Sequence, residues 1–177
     1  KIDFHVTDSI GRKWQCTTIQ LDFQMPERFE IVYANEKGEY ERPVMIHRAI
    51  FGSLERFFGI LIENFAGEFP TWLAPVQVSI IPVSEKFNEH AKEFARQLEK
   101  ENIRTYVNDS DSTVGYKIRS EQMKKIPYMI VFGEKEMNSN TVNVRTIKGN
   151  TVENISRDTF IKTINEEINN RSLNLSF

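Results

Sequence analysis

An arginine three residues past a Gly-Ser pair is the side chain in this sequence best placed to do chemistry. In VMIHRAIFGSLERFFGILIENF (44–65), Gly52 breaks an apolar run, Ser53 is a helix N-cap type, and Arg56 falls in the first turn of the helix that follows. The amide dipoles make that end of a helix electropositive, so a guanidinium there is misplaced unless an anion joins it. A phosphate would satisfy the helix start and the arginine together. The plainer alternative is a surface ion pair with Glu55 or Glu63. His47, on the preceding strand, offers an imidazole, but one histidine is no zinc site and a core histidine is the simpler reading. Cys16 reads as a packing or pocket-lining residue.

A second set of candidates lies in the C-terminal half. Arg145 stands in the middle of the alternating run TVNVRT, where a strand seldom carries a lone arginine without a partner. A planar guanidinium on a sheet surface can hydrogen-bond base edges or stack on them, which suits single-stranded RNA. Lys117, Arg119, Lys124 and Lys125 form a basic cluster that is either an RNA-facing surface or simply a solvated helix face.

Hydrophobic periodicity places these residues on elements. Ile2–Thr7 and Trp14–Phe23 alternate as strands about a turn at Ser9–Gly11, and Ile31–Tyr33 and Val44–Phe51 flank a charged turn at Asn35–Gly38. In Val44–Phe51, His47 shares a face with Met45, Ala49 and Phe51. The helix after Ser53 carries Leu54, Phe57, Phe58, Leu61 and Ile62, and Phe57, Phe58 and Phe65 are expected in a core. A Pro-bounded linker over 70–75 then separates an antiparallel first part, 1–69, from a β-α-β-α-β pattern over 76–177.

In that second part, Val76–Val83 is continuously apolar, as a strand covered on both faces must be. Ser84 opens a helix with Phe87, Ala91, Phe94, Ala95 and Leu98 on one stripe. Strands follow at Ile103–Val107 and Ile126–Phe132 around a basic helix, Val114–Lys125. A hairpin turns at Lys148–Asn150, and Ser156 caps a last helix bearing Phe160, Ile161, Ile164 and Ile168. The expected fold class is α+β followed by α/β with a mixed sheet.

Composition narrows the function. The chain has 177 residues, 40% hydrophobic and 27% charged, and a net charge of −2, so any nucleic-acid contact must come from a local patch. One cysteine rules out an internal disulfide and fits a reducing compartment. No apolar stretch reaches membrane length. The absence of a Gly-rich phosphate loop argues against a free-standing nucleotide-binding domain. The chain opens on Lys1 inside an alternating strand, and is expected to be cut from something longer.

Four ordered segments, GRKWQCTTIQLDFQMPERF, RPVMIHRAIFGSLERFFGILIENFAGEFPTWLAPVQV, VGYKIRSEQMKKIPYMIVFGEKE and TVNVRT, resemble the threonyl-tRNA synthetases over nearly the whole chain. The resemblance implies that the first part is the C-terminal portion of a class II synthetase catalytic domain, a partial antiparallel sheet with the motif 3 helix. It implies that the second is the anticodon-binding domain shared with the prolyl, glycyl and histidyl enzymes, with a mixed five-stranded sheet and about three helices.

By resemblance, Arg56 is the motif 3 arginine that holds ATP phosphate. Gln15, Thr18 and Gln20 line the threonine and adenylate pocket, and His47 is one ligand of the catalytic zinc. Asp111, Lys117, Arg119, Glu136 and Arg145 face the tRNA. Motifs 1 and 2 and the other two zinc ligands are not in the sequence, so the zinc site is incomplete here and this portion alone is expected to be inactive. The intact enzyme is implied to be a cytoplasmic homodimer without a membrane anchor, using ATP with magnesium, threonine and tRNA(Thr). Two departures from the family pattern stand out: Thr17 stands where the family usually has glycine, and Asn108–Thr113 (NDSDST) replaces a stretch that in the family reads like D-x-R-N-E-K, with Asp111 where an asparagine is expected. The rival reading is a non-catalytic nucleic-acid-binding or accessory protein derived from a synthetase C-terminus.

Overall fold

The computed structural model describes residues 1–177, which divide into two units, Lys1–Phe65 and Ala66–Phe177. The first unit holds β1 (Ile2–Thr7), β2 (Lys13–Asp22), α1 (Gln24–Arg28), β3 (Tyr33–Ala34), β4 (Tyr40–Glu41), β5 (Met45–Ala49) and α2 (Leu54–Phe65). Strands β1, β2 and β5 form an antiparallel sheet in that order. The turn between β1 and β2 is organised by Asp8, which accepts from the amides of Ile10 and Arg12 and from the side chains of Trp14 and Arg12. Burial opposes the charge on Asp8, but those donors outweigh it and pull the carboxyl down to about 2.

Two expectations for this unit are corrected. The segment near Ile31 does not pair with the strand bearing His47. Instead Tyr33–Ala34 pairs with Tyr40–Glu41 around Asn35, whose side-chain oxygen accepts from the amides of Lys37 and Glu39. The α2 phenylalanines are not core either. Phe57 is half-buried and stacks on Phe51 at 4.4 Å, while Phe58 is 58% exposed, and no α2 residue is buried, because the unit covers that apolar stripe only in part. The face bearing Ile2, Phe4, Leu21 and Ile46 is exposed as well.

The second unit holds β6 (Val78–Pro82), a 3-10 turn at Glu85–Phe87, α3 (Asn88–Lys100), β7 (Thr105–Val107), α4 (Val114–Met123), β8 (Tyr128–Phe132), α5 (Glu134–Asn138), β9 (Thr141–Thr146), β10 (Thr151–Ser156) and α6 (Arg157–Asn169). Its five strands run β10-β9-β8-β6-β7, with β6 parallel to both neighbours and β9 antiparallel to both of its own. This is the mixed sheet the pattern implied. Val78, Ile80, Tyr128, Ile130, Val142 and Val144 face α3 and α6, where Phe94, Leu98, Phe160 and Ile164 complete the core. Strand β6 is buried at every position, as its unbroken apolar run requires.

Local chemistry sets the remaining boundaries. Ser156 caps α6 by accepting from the Thr159 amide at 3.0 Å, and Gly149, at φ +90°, turns the β9–β10 hairpin. Helix α4 stops at Met123 rather than Lys125, because Lys125 adopts φ +61°. Residues 70–75, expected to be a linker, are built into the second unit. Thr71 is buried and bonds Glu167, and Arg104 donates to the carbonyls of Ala74 and Trp72. Glu167 also accepts from the Tyr128 hydroxyl at 2.7 Å, and burial, helped by that carboxylate, pushes the Tyr128 phenol far above its ordinary value.

Candidate nucleotide and nucleic-acid sites

In the first unit, Arg56 reaches back from α2 onto β2, where its Nη2 donates to the Gln15 carbonyl at 2.6 Å. No carboxylate pairs with it: Glu55 accepts from the Ser53 hydroxyl at 2.7 Å, and Glu63 pairs with Arg12. The exposed guanidinium therefore keeps Nε and Nη1 free beside the start of α2. Gly52 makes this possible. At φ +68° it turns the chain between β5 and α2, and a Cβ there would lie 2.8 Å from Arg56 Nη2 and 3.1 Å from the Cys16 carbonyl. Ser53 caps α2 through a long 3.4 Å contact with the Arg56 amide.

A β-bulge arranges the neighbouring pocket residues. Phe4 pairs with Thr17 and His5 with Gln15, so Cys16 is an extra, buried residue in β2. Simple alternation would put Gln15 and Thr18 on opposite faces, and the bulge puts them on the same one. The Gln15 amide donates to Asp3 at 2.7 Å and to the Thr18 hydroxyl at 3.0 Å, while that hydroxyl donates to Asp3 at 2.7 Å. The Thr18 bond is the chief influence holding the Asp3 carboxyl below its ordinary value. Thr17 turns its hydroxyl to the Ile50 carbonyl at 2.6 Å.

Gln20 stands directly across from His47 in the β2–β5 register. His47 Nε2 lies 3.0 Å from Asp22 Oδ2, and Asp22 also accepts the Gln24 and Met25 amides at the start of α1. The Met25 amide foremost, then His47, lowers the Asp22 carboxyl. No group of three or more His, Cys, Asp or Glu side chains could hold a metal ion, so the residues present do not by themselves fit a zinc. His47 and Asp22 form a pair, with Cys16 buried elsewhere in the sheet.

In the second unit the chain passes from β6 to β7 on one side and returns to β8 on the other. Ligand crevices form outside the carboxyl ends of strands at such a switch point. A cleft of about 270 Å³ lies there, lined by Ser84, Asn88 and residues 109–112, with Asp111 exposed on its loop. Asp109 pairs with Lys92 at 3.0 Å, and that bond lowers its carboxyl. Lys117 also lines the cleft but is 5% exposed, and its ammonium donates to the Pro82 carbonyl, 3.3 Å away, so it braces the end of β6. Lys124 and Lys125 pair with Glu121 and Glu68, which leaves Arg119, exposed, as the cation of the expected cluster that has neither a carboxylate partner nor a buried side chain.

Glu136 is buried. Its Oε1 accepts from Asn143 at 2.8 Å and its Oε2 from the Gly133 amide at 3.0 Å, which caps α5, while Arg157 donates to its backbone carbonyl at 2.6 Å. Sequence reasoning did not find Asn143 or Arg157. The alternation that exposed Arg145 also puts Asn143, two residues earlier, on its face. Arg145 is half-buried in line with Ser79 and Met129, and its Nε is buried without a protein partner. A buried donor left unpaired is uncommon in folded proteins.

Comparison with known proteins bears on both units. A family model described as "tRNA synthetase class II core domain (G, H, P, S and T)" matches residues 1–65, and one described as "Anticodon binding domain" matches 77–167. The chain is 77% identical over 177 residues to the threonine–tRNA ligase of Petrotoga mobilis, covering 100% of this chain and 28% of that one. It is 53% identical over 176 residues to the threonine–tRNA ligase of Thermotoga maritima, covering 99% and 28%. The chain thus spans about 28% of the length of these curated relatives. Among solved structures, the RNA binding domain of threonyl-tRNA synthetase from Cryptosporidium parvum superposes with a TM-score of 0.75 at 36% identity, over 93% of this chain and 42% of that one. The prolyl-tRNA synthetase of the same organism shares the fold at a TM-score of 0.64 and 24% identity, over 92% and 35%.

Proposed function

The chain belongs to the class II aminoacyl-tRNA synthetases as a portion of a threonine–tRNA ligase, and from that premise we propose that it serves an enzyme that activates threonine with ATP and transfers it to tRNA(Thr). The observation that carries the reading is Arg56: unpaired with any carboxylate, fixed through Gln15, and set at the start of α2 where anions are favoured. In the whole enzyme its guanidinium would hold an ATP phosphate and stabilise the charge that shifts as pyrophosphate leaves. Prior fixation by Gln15 means little reorganisation is needed when the nucleotide arrives. Magnesium would enter with ATP as part of that substrate.

The tied cluster Asp3, Gln15 and Thr18, with Gln20 beside it, would form one wall of the threonine and adenylate pocket. A threonine hydroxyl is a group such a polar wall can bond and an apolar competitor cannot. His47 would be one zinc ligand, with its other protein ligands lying outside these residues. The family resemblance supports a homodimer acting in the cytoplasm. In the second unit, Asp111, Arg119 and Arg145 would face the anticodon loop, with Glu136 and Asn143 as a bonded pair at the carboxyl end of β8.

The experiment is threonine-dependent ATP–pyrophosphate exchange by the whole enzyme with Arg56→Ala. Loss of one preorganised charged donor is expected to lower exchange by about 10²-fold or more. Exchange at the wild-type rate overturns the assignment. The 177-residue chain alone is expected to show no exchange.

A further inference from the structure

Behind the cleft, Asn108 and Glu121 form a buried tie that the roles above leave unused. Glu121 lies on α4 with no solvent exposure, and Asn108 follows β7 with 5%. The Asn108 amide donates to Glu121 Oε1 at 2.7 Å, and the same oxygen receives the Lys124 ammonium at 3.0 Å. Glu121 Oε2 is buried without a partner. A buried carboxylate that is only half-satisfied is costly, and an apolar side chain of its size would pack there without that cost. What the carboxylate does supply is direction. It orients Asn108, whose Oδ1 accepts the Ser110 hydroxyl at 2.7 Å, and whose backbone amide is fixed to Ile80 of β6 at 2.9 Å.

The relay therefore runs from α4 through Glu121 and Asn108 to Ser110, one residue from Asp111 on the cleft wall. Lys124, with its ammonium 4.9 Å from the centre of the Tyr106 ring, holds the carboxylate from the β7 side. We propose that Glu121 and Asn108 are positioning residues, which fix the shape that loop 109–112 presents to an anticodon base. The proposal rests on the reading of the second unit as anticodon-binding. Specificity would then come from a loop held by a buried amide–carboxylate bond, with neither member touching the RNA.

The test measures binding of the 177-residue chain to a tRNA(Thr) transcript and to the same transcript with its anticodon bases changed, alongside the unfolding midpoint. Asn108→Ala is expected to lower the ratio of the two affinities on the order of fivefold, the factor lost with one ordinary hydrogen bond. Glu121→Gln, which keeps an acceptor for Asn108, is expected to retain the ratio within about twofold. Ser110→Ala, at an exposed position, breaks the loop end of the relay and should shift the ratio in the same direction as Asn108→Ala. It decides the matter if the buried variant does not fold. A merely structural role would change the unfolding midpoint, or both affinities together, and spare the ratio. Wild-type ratios in folded Asn108→Ala or in Ser110→Ala overturn the positioning role while the anticodon reading stands. A wild-type chain that does not distinguish the two transcripts overturns the anticodon reading itself, and the proposal with it.

Discussion

Gly52→Ala isolates the physical basis of the Arg56 site. At φ +68° an L side chain costs about 1–2 kcal/mol in backbone strain. The added Cβ would stand 2.8 Å from Arg56 Nη2, 3.1 Å from the Cys16 carbonyl and 3.3 Å from the Gln15 carbonyl. The two carbonyls belong to β2 and can yield a few tenths of an ångström, but the guanidinium must leave. Its bond to Gln15 goes with it, for about 0.5–1.5 kcal/mol more. The sum is about 1.5–3.5 kcal/mol, which should speed amide exchange in β2 and β5 by roughly 10-fold to 400-fold if that sheet opens as a unit. Hydrogen exchange read by mass spectrometry over residues 13–22 and 45–65 is the assay. In a double-mutant cycle, Gly52→Ala should cost less in an Arg56→Ala background, because the displaced side chain is already gone. Wild-type exchange in Gly52→Ala, or strict additivity with Arg56→Ala, would show that Gly52 does not make room for the Arg56 guanidinium.

Three further outcomes are expected. Glu167→Ala strands the Tyr128 and Thr71 hydroxyls, while the Ser176 amide keeps the Tyr128 oxygen, and should destabilise the second unit by about 3–5 kcal/mol in urea titration; a loss below about 1 kcal/mol would mean water replaces the carboxylate. Asp109 is held below the ordinary carboxylate range by Lys92, so the stability this pair adds is present above that range and fades as pH falls through the lowered pKa. Lys92→Met should raise the Asp109 midpoint in an NMR titration, and an unmoved midpoint would mean that the ion pair does not form in solution. Asp111→Asn should leave tRNA binding unchanged or modestly tighter, with any gain shrinking as salt rises; loss of anticodon-dependent binding would show that the acid reads a base.

The larger elements were legible because their burial patterns are simple. The unbroken apolar run of β6, the stripes on α3 and α6, and the Ser156 cap each carry their signal within a few residues. What the sequence hid depends on contacts between segments. The bulge at Cys16 reverses the facing of half of β2, and period-2 counting has no term for an inserted residue. Lys117 and Glu136 read as surface charges because such residues are seldom buried, yet here each has backbone partners that satisfy it. Helices α1 and α5 span five residues each, too short for a periodic signal, and form where Asp22 and Glu136 bond their first turns. Arg56 was legible as a phosphate candidate, but its freedom from ion pairing shows only once Glu55 and Glu63 are seen bonded elsewhere.

The most direct test of the second unit as an anticodon reader is the affinity of the 177-residue chain, with and without Arg145→Ala, for tRNA(Thr) and for an anticodon-substituted transcript. The wild-type chain should prefer the cognate transcript, and Arg145→Ala should reduce that preference by about 1–3 kcal/mol if the guanidinium makes a bidentate base contact. Phosphate contacts alone would weaken both affinities together, with a lower dependence on salt. Equal binding of the two transcripts by the wild-type chain, or an unchanged preference in Arg145→Ala, would contradict the account.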